Sequence, residues 1–147
     1  MLREVPYEPT HLYSIECRPE QVALWKELID EGLAERILEM DTAFTLLDEN
    51  NRVVVVAGVI QSPEQWGEVY TFLGDDFQKH LKFIIRWLKA QLDVVQLKFE
   101  ELYAMGRLSW PFLPRWMAAL DFFPVAPIPN AGRYGESYML YRRKPWQ

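Results

Sequence analysis

The chain has 147 residues, half of them hydrophobic and a quarter charged, which suits a single domain over residues 1–147 with a substantial core. A formal net charge of -5 argues against nucleic acid as the partner, because phosphate binding draws on a clustered basic face; Arg142-Arg143-Lys144 reads instead as a solvated strand end. One cysteine, Cys17, excludes an intramolecular disulfide and a cysteine-based metal site, and the longest apolar run, Val53 to Ile60, is too short to cross a bilayer. No secretory leader is expected, since Met1 to Ile15 carries Pro6 and Pro9 and lacks an apolar stretch.

Val5-Pro6-Tyr7-Glu8-Pro9 reads as an extended lead-in, because two prolines disfavour helix, and Leu12 to Ile15 as a first strand. Arg18-Pro19-Glu20 opens a helix on which Val22, Leu24, Trp25, Leu28 and Ile29 recur at helical spacing. Gly32 breaks it, and Leu33 to Met40 forms a second helix through Leu33, Ile37 and Met40. Ala43 to Leu47 and Val53 to Ile60 flank Asp48-Glu49-Asn50-Asn51-Arg52, a turn whose residues tolerate positive φ, and so predict a hairpin. The unbroken valine run predicts a strand covered on both faces.

After a loop at Gln61 to Trp66, the stretch from Gly67 to Leu92 predicts strand, tight turn and helix. Phe77, Leu81, Ile84, Ile85, Leu88 and Leu92 form the apolar stripe of that helix, and Gln78, Lys79, Lys82, Arg86 and Lys89 its basic face. Asp75 and Asp76 read as its N-cap. Val94 to Leu102 alternates like a strand, and Ser109-Trp110-Pro111 opens a helix to Leu120. Phe122 to Val125 and Glu136 to Arg142 complete the strands, with a linker-like Pro124 to Gly135 between them. His11 and His80 are too few and too separated for a metal site and read as surface or turn residues. Cys17 reads as packing, and Trp66, Trp110, Trp116 and Trp146 as either core or partner contacts.

This order of elements resembles the GNAT superfamily of N-acetyltransferases along nearly the whole chain. The hairpin Ala43 to Ile60, the strand-turn-helix Glu68 to Leu92, and the closing run Arg115 to Phe123 carry the resemblance; Asp121 stands where that family's closing helix usually has glycine. Length and tryptophan content look most like the GNAT-like proteins encoded among virion morphogenesis genes of short-tailed phages. The fold the resemblance implies is α+β, with a mixed, mostly antiparallel central sheet of about six to seven strands flanked by helices on both faces.

The resemblance also implies chemistry. In that family the central strand pairs with the pantetheine arm of acetyl-CoA or CoA, and the following turn presents amides to the pyrophosphate. Tyr70, Phe72, Leu73, Gly74, Phe77, Gln78 and Lys79 would be cofactor-binding here, although the turn has one glycine instead of two or three and two carboxylates. Glu68 stands where many members carry the base that deprotonates the acceptor amine. The usual tyrosine acid is replaced by Met117, leaving Tyr138 as the candidate acid, with Tyr70, Tyr103 and Tyr141 as other tyrosines on strands. Two functions follow. One is an acetyl-CoA-dependent N-acyltransferase with a degenerate cofactor loop; the other is a noncatalytic virion-associated or morphogenesis protein that docks to a phage or host protein. Either would work in the bacterial host cytoplasm or the virion, without nucleic acid or membrane.

Overall fold

The computed structural model describes residues 1–39, 42–132 and 135–144, so Met40 and Trp146, both singled out in the sequence, lie outside the described residues. Seven strands form one sheet in the order β1-β2-β3-β4-β5-β7-β6: β1 Arg3–Pro6, β2 Ala43–Leu47, β3 Val53–Gln61, β4 Gly67–Leu73, β5 Leu102–Arg107, β6 Phe122–Ile128 and β7 Tyr138–Arg143. The pairs β1–β2, β2–β3, β5–β7 and β7–β6 are antiparallel, and β4–β5 is parallel. The α-helices are α1 Pro9–Ser14, α2 Val22–Asp30, α3 Leu33–Glu39, α4 Leu81–Val95 and α5 Leu113–Ala119. None is long and apolar enough to cross a membrane. The chain divides into two units, residues 1–60 with 70–84, and residues 61–69 with 85–147, so that β4 and α4 contribute to both.

In the first unit, β1 comes earlier than expected and the segment expected as the first strand is α1. Pro9 occupies the first helical turn, where its missing N–H costs nothing, and the Glu8 amide donates to His11 Nδ1 at 3.1 Å. Leu12 is thereby turned fully inward. His11 is accordingly a helical, part-buried residue whose Nδ1 lies 2.9 Å from Thr45 Oγ1. Pro6 is accommodated because β1 is an edge strand. The helix expected from Arg18 begins as a 3-10 turn at Pro19–Gln21 and continues as α2, and Gly32, at φ 82°, separates α2 from α3.

The predicted hairpin forms: Asp48 Oδ1 accepts from the amides of Asn50 at 2.8 Å and Arg52 at 3.0 Å, while Asn51 takes φ 63°. Val53 to Ile60 is buried throughout. Gly58 has no Cβ because Ile37 of α3 occupies that space; an added Cβ would stand 2.8 Å from Ile37 Cγ2.

The second unit departs from the expectations at several points. α4 continues through Val95 rather than giving way to a strand at Val94. Ile84, Leu88, Leu92 and Val95 keep helical spacing and are buried, while Val94 faces out at 60% exposure; Leu81, at the first residue of the helix, is also exposed. β5 therefore starts at Leu102. α5 starts at Leu113 with Pro114 in its first turn; Ser109 does not cap it. β6 extends through Pro124 and Pro127 to Ile128, tolerated because it is the other edge strand and its register shifts between Pro124 and Ala126.

Arg143 is not a solvated strand end. It is buried, donating from Nε to the Leu120 carbonyl at 2.9 Å, from Nη1 to Gln96 Oε1 at 3.1 Å and from Nη2 to Asp93 Oδ1 at 2.8 Å. A cation there is stable because fixed acceptors replace its water.

Candidate functional site

The expected cofactor strand β4 changes neighbours along its length. At its start Gly67 donates to the Glu101 carbonyl at 2.9 Å, and the parallel register with β5 comprises Gly67↔Leu102 and Glu68↔Tyr103. In extended backbone the N–H and C=O of one residue leave on one edge and those of the next on the other. Gly67, Val69, Thr71 and Leu73 therefore share one edge. Gly74 uses the opposite edge, where its amide donates to the Val54 carbonyl at 2.7 Å.

Three groups at the Thr71–Leu73 end of the shared edge are satisfied by the chain itself. Leu73 N–H donates to Gln21 Oε1 at 2.9 Å, Gln21 Nε2 donates to the Thr71 carbonyl at 2.8 Å, and Arg18 N–H donates to the Leu73 carbonyl at 3.0 Å. Cys17 completes an isolated antiparallel bridge to Gly74. The turn that follows is equally committed. Asp75 N–H donates to the Glu16 carbonyl at 2.8 Å, Phe77 to Gly74 at 3.1 Å and Lys79 to Asp76 at 3.2 Å.

Asp75 and Asp76 do not act as the expected side-chain caps. Asp76 holds the N-cap position of the 3-10 turn Phe77–His80 without a capping bond. Both carboxylates turn instead to Arg52 of the hairpin, whose Nη2 lies 2.5 Å from Asp75 Oδ1 and 2.8 Å from Glu16 Oε2, with Nη1 3.5 Å from Asp76 Oδ2. The hydrogen bond to Glu16, and then the charges of Asp75 and Asp76, raise the Arg52 pKa. Three carboxylates against one guanidinium leave the mouth of the turn anionic. Asp76 Oδ1 is buried without a hydrogen-bond partner, and a Cβ on Gly74 would approach it to 3.4 Å and the Val53 carbonyl to 3.1 Å.

Among the other expected cofactor residues, Phe72, Leu73 and Phe77 are core side chains, Tyr70 packs against the same core, and Gln78 and Lys79 are exposed. Burial pushes the Cys17 thiol up to about 12, which keeps it protonated, and lowers the neighbouring Arg18 to about 10 against the opposing charge of Glu20. As arranged, these residues do not fit coenzyme A in the way the resemblance implies: the amides of Leu73, Gly74, Asp75, Phe77 and Lys79 already have acceptors, and the carboxylates at the turn oppose an anion.

In the second unit, Glu68 is half-buried beside Tyr103, whose hydroxyl donates to Glu101 Oε2 at 3.1 Å and whose ring centre lies 4.9 Å from that of Trp66. Burial, reinforced by Glu101, raises the Tyr103 pKa. Arg142 Nη2 closes this group on Glu101 at 2.9 Å. The cluster escaped the sequence reading because its members come from two loops and three strands, and only their register unites them. Tyr138 is buried at the start of β7 opposite Arg107, four β5 residues beyond Tyr103 and so about 13 Å along the strand. Glu68 and Tyr138 are thus not brought together by the register. Met117, Trp110 and Trp116 are core residues.

No family model and no curated protein sequence matches the chain. Solved structures match it in fold. Ard1 from Thermoplasma volcanium superposes with a TM-score of 0.75 at 12% identity, covering 99% of each chain. A chain of the NatC complex bound to Gag peptide and CoA gives 0.71 at 11%, again over 99% of each. The ribosomal-protein-S5-alanine acetyltransferase from Vibrio fischeri gives 0.66 at 14%, covering 97% of this chain and 92% of that one. The chain therefore has the GNAT acetyltransferase fold, a mixed α+β architecture around a mostly antiparallel seven-stranded sheet.

Proposed function

We propose that this protein is a GNAT scaffold related to the acetyl-CoA-dependent N-acetyltransferases whose cofactor loop has degenerated, and that it works by docking to another protein. The observation that carries the reading is the turn Gly74 to Asp76, with the amides of Gly74 and Asp75 committed to Val54 and Glu16 and its carboxylates gathered on Arg52. The partner is a phage virion or host protein, met in the host cytoplasm or the particle. Exposed Met105, Leu108, Phe112 and Val125 of the second unit supply apolar contact area for such a partner. Calorimetric titration with coenzyme A tests the proposal: no saturable heat at millimolar ligand is expected, and a saturable micromolar isotherm overturns it.

The pairing of Glu68 with Tyr103 supports the base of a second reading, an N-acyltransferase in which Glu68 deprotonates the amine; Tyr138, its acid, acts from a separate position about 13 Å along the strand. On that reading Glu68→Gln abolishes transfer at neutral pH and Tyr138→Phe slows it. Turnover with an unchanged pH profile in Glu68→Gln removes Glu68 from the role.

A further inference from the structure

The Gln21 carboxamide makes a two-point contact with the edge of β4: its oxygen accepts from Leu73 N–H at 2.9 Å and its nitrogen donates to the Thr71 carbonyl at 2.8 Å. That is the pattern one residue of an adjacent parallel strand makes, through its N–H and C=O, with residues i and i+2 of a strand edge, and the primary carboxamide reproduces it because its N–H and C=O lie on one side. The partners lie on the same edge as the Gly67 amide that bonds Glu101. Gln21 comes from the end of the 3-10 turn Pro19–Gln21, which Pro19 opens and Arg18 N–H anchors to the Leu73 carbonyl at 3.0 Å. Asp75 N–H to the Glu16 carbonyl, at 2.8 Å, fixes the other end of the segment. A flexible side chain is thus placed by a backbone tied twice just ahead of it, and the Gln21 amide closes the turn on the Arg18 carbonyl at 2.9 Å.

We propose that Gln21 is an intramolecular latch, its carboxamide standing in for an amide-bearing extended ligand and closing the edge of β4 against one. The inference rests on the reading above for the identity of that edge, and explains closure by a side chain as well as by the anionic turn. The two barriers act on different parts of a ligand. The turn opposes the pyrophosphate, whereas Gln21 opposes the amides of the pantetheine arm, so pantetheine without its nucleotide reports on Gln21 alone.

Amide-resolved hydrogen exchange and pantetheine titration, on the wild type and on Gln21→Ala, test this. Loss of the acceptor should speed exchange at Leu73 about tenfold or more while the β2–β3 hairpin keeps its protection. Millimolar pantetheine should then restore protection at Leu73 in Gln21→Ala and leave the wild type unchanged. Gln21→Glu, which keeps the acceptor for Leu73 but not the donor to Thr71, should fall between the two and covers the case in which the alanine variant folds poorly. Unchanged Leu73 exchange, or an opened edge that pantetheine does not protect, overturns the latch. Coenzyme A binding by the wild type would overturn the docking reading whatever pantetheine does.

Discussion

Asp121 holds φ at 69°, a left-handed conformation that costs a residue with a Cβ about 1–2 kcal/mol and that aspartate and asparagine bear best. It turns the chain from α5 into β6 and accepts the Lys144 amide on its carbonyl at 2.9 Å. Asp121→Ala should therefore lower stability in urea by about 1–2 kcal/mol, and Asp121→Asn by clearly less. Arg143 was legible only as a charge. Its burial depends on the Leu120 carbonyl, Asp93 and Gln96, which lie 23 to 50 residues away in sequence. Arg143→Met should cost about 1–3 kcal/mol, moderated because half-exposed Asp93 can recover water. Cys17, read as packing, is held as a protonated thiol by burial. Its alkylation at pH 8 in the folded protein should be at least about a hundredfold slower than that of a free cysteine.

At the scale of elements, helix α5 is seated by an absence. Gly106 of β5 lies under Leu113, and a Cβ there would stand 2.1 Å from Leu113 Cδ1 and 3.0 Å from its Cγ. Gly106→Ala should therefore destabilise by about 1–3 kcal/mol, measured by denaturant unfolding, with Leu113→Ala as a partial suppressor in the double variant. Helix α1 carries a pH dependence. Burial lowers the His11 pKa below 6.5, with Glu8 opposing. A base whose pKa falls on folding is neutral in the native state, so its contribution is intact above 6.5 and is lost as pH falls through the native value. Unfolding free energy should drop between pH 7 and 5, and His11→Asn, which keeps an acceptor for the Glu8 amide, should flatten that drop. The elements with strong local signals were readable: the hairpin around Asp48 to Arg52, the break at Gly32 and the strand into Gly74. Those settled by neighbours were not. Leu12 to Ser14 became the end of a helix through Pro9 and His11, and Val94 stays helical because Val95 completes the buried stripe begun at Ile84.

At the scale of the molecule, order and spacing of elements were enough to reach the GNAT fold, although structures superposing with TM-scores of 0.66 to 0.75 share only 11 to 14% identity with the chain. The site was legible to the same depth. The reduced glycines and paired aspartates of the turn were visible in the sequence, but their partner Arg52, 23 residues from Asp75, and the closure of β4 by Gln21, 50 residues from Thr71, are tertiary facts. A turn that spends four of its amides, those of Gly74, Asp75, Phe77 and Lys79, internally and surrounds one guanidinium with three carboxylates is a poor host for a pyrophosphate. The most direct measurement is an amide-resolved titration of the wild-type protein with coenzyme A. Resonances of Gly74, Asp75, Phe77 and Lys79 should stay in place up to millimolar ligand; concerted, saturable shifts at those four amides would contradict the account.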